Sequence, residues 1–274
     1  MQPAQLYLDL LKKTLSYSLW QDPGRPVESF LYKSPRYVKP LIRIAVPVLR
    51  KANLQLVRRL EYKEDQREVG AIWPSQADTM IGMKRLNNIQ FCVETVLQDQ
   101  IPGDLIETGV WRGGASIFMR GVLAAYGVRD KRIFVADSFQ GLPKPELDRY
   151  PQDQGDLLHT EEFLAVSQEQ VAANFKKYGL LDDQVVFLKG WFKDTLPKAP
   201  IKEISVMRLD GDMYSSTMDA LQALYPKLAR GGFCIIDDYA LKGCREAVDD
   251  FRRTEAIKDP LIKVDITGHF WRKL

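Results

Sequence analysis

Four aspartates in the last third of the chain stand where they could act together. "RLDGDMYSST" (208–217) carries Asp210 and Asp212, and "IIDDYALKG" (235–243) carries Asp237 and Asp238. Each pair closes an apolar, strand-like run and precedes a helix-like one. Carboxylates held this close repel unless something positive sits among them. An oxygen-only donor set without His or Cys selects a hard cation, Mg²⁺, Ca²⁺ or Mn²⁺, over zinc. Asp210 and the Asp237–Asp238 pair lie one strand–helix–strand unit apart, so adjacent parallel strands bring their tips together. A cation there lowers the pKa of a coordinated hydroxyl, and two neighbouring hydroxyls chelating it select a vicinal diol. The competing structural reading is that Asp237–Asp238 caps the turn before a helix near Gly243.

A second constellation lies upstream. "ETGVWRGGAS" (107–116) follows a strand and opens a helix, where glycines admit a ligand and the helix start favours an anion. The spacing is not G-x-G-x-x-G, which disfavours an NAD pyrophosphate. A smaller anion such as an amino-acid carboxylate suits the helix start near Ser116, and Glu107 suits an ammonium. Asp137 follows Glu107 by 30 residues at the next strand end and can bridge two ribose hydroxyls. An amino acid joined to a ribose describes S-adenosylmethionine. The alternative for Gly113 and Gly114 is tight helix–strand packing. "KGWFKD" (189–194) follows the third strand, where Trp191 or Phe192 either stacks on an adenine or packs in the core.

The elements that must position these residues alternate. Strand-like runs at 104–109, 132–138, 185–190, 204–212 and 232–238 are parted by helix-like runs at 112–127, 167–180 and 215–232. A further helix reads at 244–256, and runs at 261–266 and 269–274 read as a terminal hairpin. Continuous apolar strands are buried on both faces, so the pattern predicts an α/β, doubly wound, mostly parallel sheet. Such sheets bind ligands at the carboxyl ends of their strands, where Glu107, Asp137, Asp210, Asp237 and Asp238 all fall. The polar stretch at about 141–163 reads as a lid over the acceptor.

The first 70 residues read differently. A short amphipathic helix covers 4–20. Residues 29–60 then hold eight basic side chains and no acid: Lys33, Arg36, Lys39, Arg43, Arg50, Lys51, Arg58 and Arg59. Pro35, Pro40 and Pro47 interrupt that stretch and argue against a continuous membrane helix. The basic side chains suit either membrane phosphates or an acidic partner, or form a solvated face at a subunit contact.

Composition sets outer bounds. The chain has 274 residues, 45% hydrophobic and 27% charged, as a globular protein does. A formal charge of +3 gives no ground for a nucleic-acid partner. Three cysteines without framework spacing point to a reducing, cytoplasmic setting. No apolar run reaches the roughly 20 residues that cross a bilayer.

"TMIG" (79–82), "RLNN" (85–88), "IETGVWRGG" (106–114), "ADSFQGLP" (136–143), "LDGDMYSST" (209–217) and "IIDDY" (235–239) resemble the macrocin O-methyltransferase family over about residues 70–274. The resemblance implies a Rossmann-like class I methyltransferase domain at 71–274. Its sheet would have seven strands with an antiparallel carboxyl-terminal strand, behind a helical extension at 1–70. It implies S-adenosyl-L-methionine and Mg²⁺ as cofactors, and as acceptor a small-molecule hydroxyl on a sugar or phenol. It also implies a homodimer. Asp210, Asp237 and Asp238 would hold the metal, and Asp212 would be the general base. Thr79, Met80, Glu107, Thr108, Gly109, Ser116, Asp137, Ser138, Gly190, Trp191, Phe192 and Asp210 would line the cofactor. Two rivals stay open: a Mg²⁺-dependent phosphatase of the haloacid dehalogenase type, and a non-catalytic methyltransferase-like docking protein. Only 27 residues from Asp210 to Asp237 argue against the first, and retention of all four acids argues against the second.

Overall fold

The computed structural model describes residues 2–22, 24–27, 35–58 and 63–274. Of the eight basic side chains in the 29–60 stretch, Lys33 and Arg59 lie outside the described residues.

The amino-terminal part gives α1 (Pro3–Leu15), β1 (Arg25–Pro26), α2 (Val38–Lys51), β2 (Val57–Arg58) and α3 (Glu64–Glu68), with β1 and β2 paired antiparallel. Helix α4 (Met83–Gln98) leads into the sheet. Then come β3 (Asp104–Thr108), α5 (Gly114–Ala125), β4 (Ile133–Asp137), α6 (Gln168–Lys177), β5 (Val185–Lys189) and α7 (Phe192–Thr195). The chain closes with β6 (Ile204–Leu209), α8 (Tyr214–Leu224), β7 (Leu228–Ile236), α9 (Lys242–Thr254), β8 (Ile262–Lys263) and β9 (His269–Arg272).

Seven strands form one sheet in the order β5-β4-β3-β6-β7-β9-β8. All are mutually parallel except β9, which runs antiparallel to both β7 and β8. The chain winds outward from β3 through β4 to β5, then returns to β6 on β3's other side. The carboxyl ends of β3 and β6 therefore flank the switch point, where such sheets open a crevice. Alternating strand residues feed two cores, as the pleat requires. Leu105, Val135, Val206 and Ile235 face α1, α4, α5 and α6. Ile106, Phe134, Met207 and Ile236 face α8 and α9. Leu8, Leu11 and Leu15 of α1 are buried in the first of these cores, so the first helix shares the sheet's own packing.

Two helix ends, and the effect of two prolines, differ from the sequence expectation. The helix expected over 215–232 stops at Leu224, because Pro226 tightens the chain into a 3₁₀ turn at Tyr225–Lys227 and β7 starts at once. The helix expected over 4–20 stops at Leu15. The prolines of the basic stretch do not break it: α2 runs through Pro47, an exposed position where water can satisfy the freed carbonyl, and Pro40 lies in the first turn, where its missing N–H costs nothing. Among the described residues no helix is long and apolar enough to cross a membrane.

Candidate active site

The carboxyl ends of the strands continue the ladder for one residue into each loop. Asp210 N donates to Thr108 O, and Asp237 N to Leu209 O, both at 2.9 Å. Gly109 N donates to Ala136 O, and Gly190 N to Asp137 O, also at 2.9 Å. The loops therefore start in register, and their side chains converge. Gly109 is what permits this: its φ is +76°, and a Cβ there would lie 1.7 Å from the Asp210 carbonyl oxygen.

One cavity of about 600 Å³ occupies the crevice, within the range usual for small-molecule sites. Thr79, Met80, Glu107, Gly109, Asp137, Ser138, Gly190, Trp191, Phe192 and Asp210 line it, together with Asp212, Asp237 and Asp238. Thr108 and Ser116 do not. Thr108 is fully buried, and the Ser116 hydroxyl is spent behind the wall on Glu107 Oε2. The anchoring of α5 is also more crowded than the sequence suggests. Gly114 N donates to Asp78 O at 3.0 Å, so the strap before α4 lies across that helix start. Asp137 accepts from Val110 N and Phe139 N, each at 2.7 Å, which shapes the glycine loop. His269 packs its ring 4.5 Å from that of Tyr239.

The answer to the repulsion among the acids begins with two arginines. Arg208, inside the apolar run of β6, is 1% exposed. One of its terminal nitrogens pairs with Glu107; the other lies 3.0 Å from Asp210 and 2.5 Å from Asp237. Arg85 of α4 pairs with Asp237 and, through Nε, with Asp265 at 3.0 Å. Burial works against ionisation of Asp237, yet Arg208 and Arg85 outweigh it and hold its carboxyl below the usual range. The other acids keep no such advantage. Burial, and after it the charge of neighbouring aspartates, pushes Asp210 up and Asp212 and Asp238 well up. Burial lifts Glu107 to about 7 despite Arg208 and Ser116.

These residues fit a divalent cation. Asp210, Asp237 and Asp238 each offer one oxygen, all within 4.8 Å of one another. Asp237 Oδ1 is buried and ion-paired to Arg208 at 2.5 Å, without a well-directed hydrogen bond. Six carboxyl groups, Glu107, Asp210, Asp212, Asp237, Asp238 and Asp265, face two guanidinium charges, and oxygen donors suit a hard cation. Asp212 stands apart from that trio, in the left-handed region at φ 55°, with its N–H 3.4 Å from Asp238 Oδ2.

Arg208, Arg85 and Asp265 were not singled out from the sequence. The signal for Arg208 was present: an arginine inside a fully buried strand demands carboxylate partners. Arg85 and Asp265 are 180 residues apart, and nothing local marks their pairing.

A seven-stranded sheet of this order, with an acid-ended first strand, a glycine loop and a second acid at the next strand tip, defines a class I methyltransferase. The macrocin-O-methyltransferase family model matches residues 4–273, and the chain belongs to that family; it is an O-methyltransferase dependent on S-adenosylmethionine. The match takes in the amino-terminal segment, beyond the 70–274 that the motifs alone suggested. The chain is 51% identical over 268 residues to the 8-demethyl-8-(2,3-dimethoxy-alpha-L-rhamnosyl)-tetracenomycin-C 4'-O-methyltransferase of Streptomyces olivaceus, covering 97% of this chain and 92% of that one. It is 48% identical over 272 residues to the mycinamicin III 3''-O-methyltransferase of Micromonospora griseorubida, covering 98% and 96%. The solved structure of the O-methyltransferase NovP superposes with a TM-score of 0.84 at 46% identity, covering 98% of this chain and 99% of that one. The calicheamicin methyltransferase CalS11, at 17% identity and a TM-score of 0.57, shares the fold. With the family in hand, the phosphatase and docking-protein readings fall away.

Proposed function

We propose that the chain methylates a hydroxyl on a sugar of a glycosylated natural product, with a divalent cation, Mg²⁺ first, at Asp210, Asp237 and Asp238. The observation that carries this reading is one cavity wall that bears both the cofactor-loop residues and the three-carboxylate cluster. A relative named for 4'-O-methylation of a rhamnosyl-bearing tetracenomycin, and another named for 3''-O-methylation of mycinamicin III, support the acceptor class. Thr79, Met80, Glu107, Gly109, Asp137, Ser138, Gly190, Trp191 and Phe192 hold the cofactor along the β3–β5 half of the cavity. The cation, when bound, supplies a lowered pKa to an acceptor hydroxyl and favours a vicinal diol. Asp212 lies beyond the ligand trio and takes the hydroxyl proton. Burial, and after it the charges of Asp210 and Asp237, raises its pKa, which makes its carboxylate a stronger base. Arg208 and Arg85 hold Asp237 in place on the sheet side. The lid over 141–163 excludes water from the closed site. The exposed stripe of Leu41, Ile44 and Val48 on α2 supports a homodimer contact there.

Calorimetry with S-adenosylhomocysteine, with and without Mg²⁺, joined to a labelled-methyl assay on rhamnosylated polyketides, tests the reading. Cofactor binding with Mg²⁺-dependent turnover is expected. Asp212→Asn is expected to lower turnover by about 10²-fold or more while sparing cofactor and cation affinity. Turnover indifferent to chelation, or undiminished in Asp212→Asn, would refute the respective assignment.

A further inference from the structure

Helix α8 begins without a cap of its own. Met213 occupies its N-cap position and contributes no side-chain acceptor, so its first amide donors need a partner from elsewhere. The partner comes from the lid. Asp153 ends the 3₁₀ turn Pro151–Asp153 and is 3% exposed. Its Oδ1 accepts from Tyr214 N at 2.6 Å and its Oδ2 from Ser215 N at 3.1 Å. A carboxylate there also meets the positive end of the helix dipole.

A second helix reaches the same point. A Cβ at Gly243, in the first turn of α9, would lie 2.9 Å from Tyr214 N and 3.3 Å from Asp153 Oδ1. Glycine there leaves room for the carboxylate. The rings of Tyr150 and Tyr214 lie 5.9 Å apart, and the Tyr214 hydroxyl donates to Asp250 Oδ2 of α9 at 3.1 Å. The two helix starts are the ends of the two acid loops. Helix α8 leaves the loop of Asp210 and Asp212, and α9 leaves the loop of Asp237 and Asp238. The far end of the lid is tied to the glycine loop instead, where Trp111 Nε1 donates to Phe163 O at 2.9 Å.

We propose that Asp153 is a positioning residue that latches the lid onto the starts of α8 and α9, so that a closed lid and an aligned Asp212 are one state. What the latch aligns rests on the methyl-transfer reading; the latch itself does not. With the carboxylate gone, the lid leaves the acid half of the cavity, and the cofactor half, built on β3, β4 and β5, keeps its shape.

Limited trypsin digestion of the full-length protein, followed at the Arg149–Tyr150 bond in the lid, reads the latch directly. Asp153→Ala is expected to speed lid cleavage by at least about tenfold, from the loss of two charge-assisted hydrogen bonds, with affinity for S-adenosylhomocysteine kept within about twofold. Asp153→Asn keeps one acceptor oxygen and partly rescues protection. Wild-type cleavage rates in both variants would overturn the proposal. So would cofactor affinity falling in step with protection, which would mark a general loss of fold. If the alanine variant does not fold, the isosteric Asn variant decides alone: faster cleavage supports the latch and an unchanged rate overturns it. Absence of cofactor binding by the wild type would refute the methyl-transfer reading and leave the cleavage result untouched.

Discussion

A glutamate lifted to about 7 is the residue whose environment is most exposed to test. Glu107 is 1% exposed, and burial outweighs Arg208 and the Ser116 hydroxyl in setting its pKa. The folded protein thus holds a proton on Glu107 between 4.5 and about 7 that the unfolded chain has released. More protons bound in the native state means that stability falls as pH rises through that window. The cofactor-free protein is expected to lose thermal stability from pH 5 to pH 8, and Glu107→Gln to remove a share of that slope. Melting curves across the range measure it; an unaltered slope in the variant would place the proton elsewhere in the cluster. The acids themselves were legible from the sequence, because each ends an apolar run. The arginines that hold them were not, since Arg208 reads locally as one polar residue in a strand and Arg85 as one of several basic residues on a helix. The sequence suggested a cation as what keeps the carboxylates together. The structure places two fixed guanidinium charges among them.

At the scale of elements, the strand tips were legible and the long-range ties were not. Apolar runs closed by an acid or a glycine mark β3, β4 and β5 within one residue at each end, and β6 at its start, with its end three residues early, because a strand buried on both faces admits few polar residues before its end. The end of α8 was missed because Leu228 and Ala229 continue the apolar pattern past Pro226. The cap on α8 was missed because its donor and acceptor lie 61 residues apart. The junction of the two acid-bearing loops with the sheet hangs on Gly109, and this yields a prediction by contrast. Gly109→Ala must both tolerate φ +76° and push against the Asp210 carbonyl, 1.7 Å from the new Cβ. Gly127→Ala meets φ +66° with nothing within 4 Å. Strain alone costs about 1–2 kcal/mol, and overpacking adds about 1–3 kcal/mol. Urea denaturation is expected to show Gly127→Ala losing about 1 kcal/mol and Gly109→Ala at least twice that. Equal losses would mean that the β3 and β6 loops separate easily, and that their shared register does not align the site.

The whole molecule brings the cofactor and acid half-sites together only when β3 and β6 lie side by side, so ligand binding and global folding are linked. The half-sites come from stretches of chain about a hundred residues apart: Glu107 and Gly109 precede β4, β5 and α6, while Asp210, Asp237 and Asp238 follow them. An unfolded chain does not offer both at once, so a ligand of the folded site stabilises the fold by mass action. At one hundred times its dissociation constant a ligand adds about 2.7 kcal/mol. For a chain of this length that corresponds to a rise in melting temperature of roughly 5–10 °C. S-adenosylhomocysteine is expected to produce such a rise, and Mg²⁺ added with it to extend the rise further. NAD is expected to produce none, because the glycine loop lacks the spacing that serves a pyrophosphate. Arg208 gives the expectation a second edge: it pairs with Glu107 on the cofactor side and with Asp210 and Asp237 on the acid side. Replacing it by methionine removes the shared partner, and the shifts from S-adenosylhomocysteine and Mg²⁺ should become independent of each other. If the two shifts in the Arg208→Met variant stay as interdependent as in the wild type, the coupling runs through the loops around Gly109 and not through the buried guanidinium.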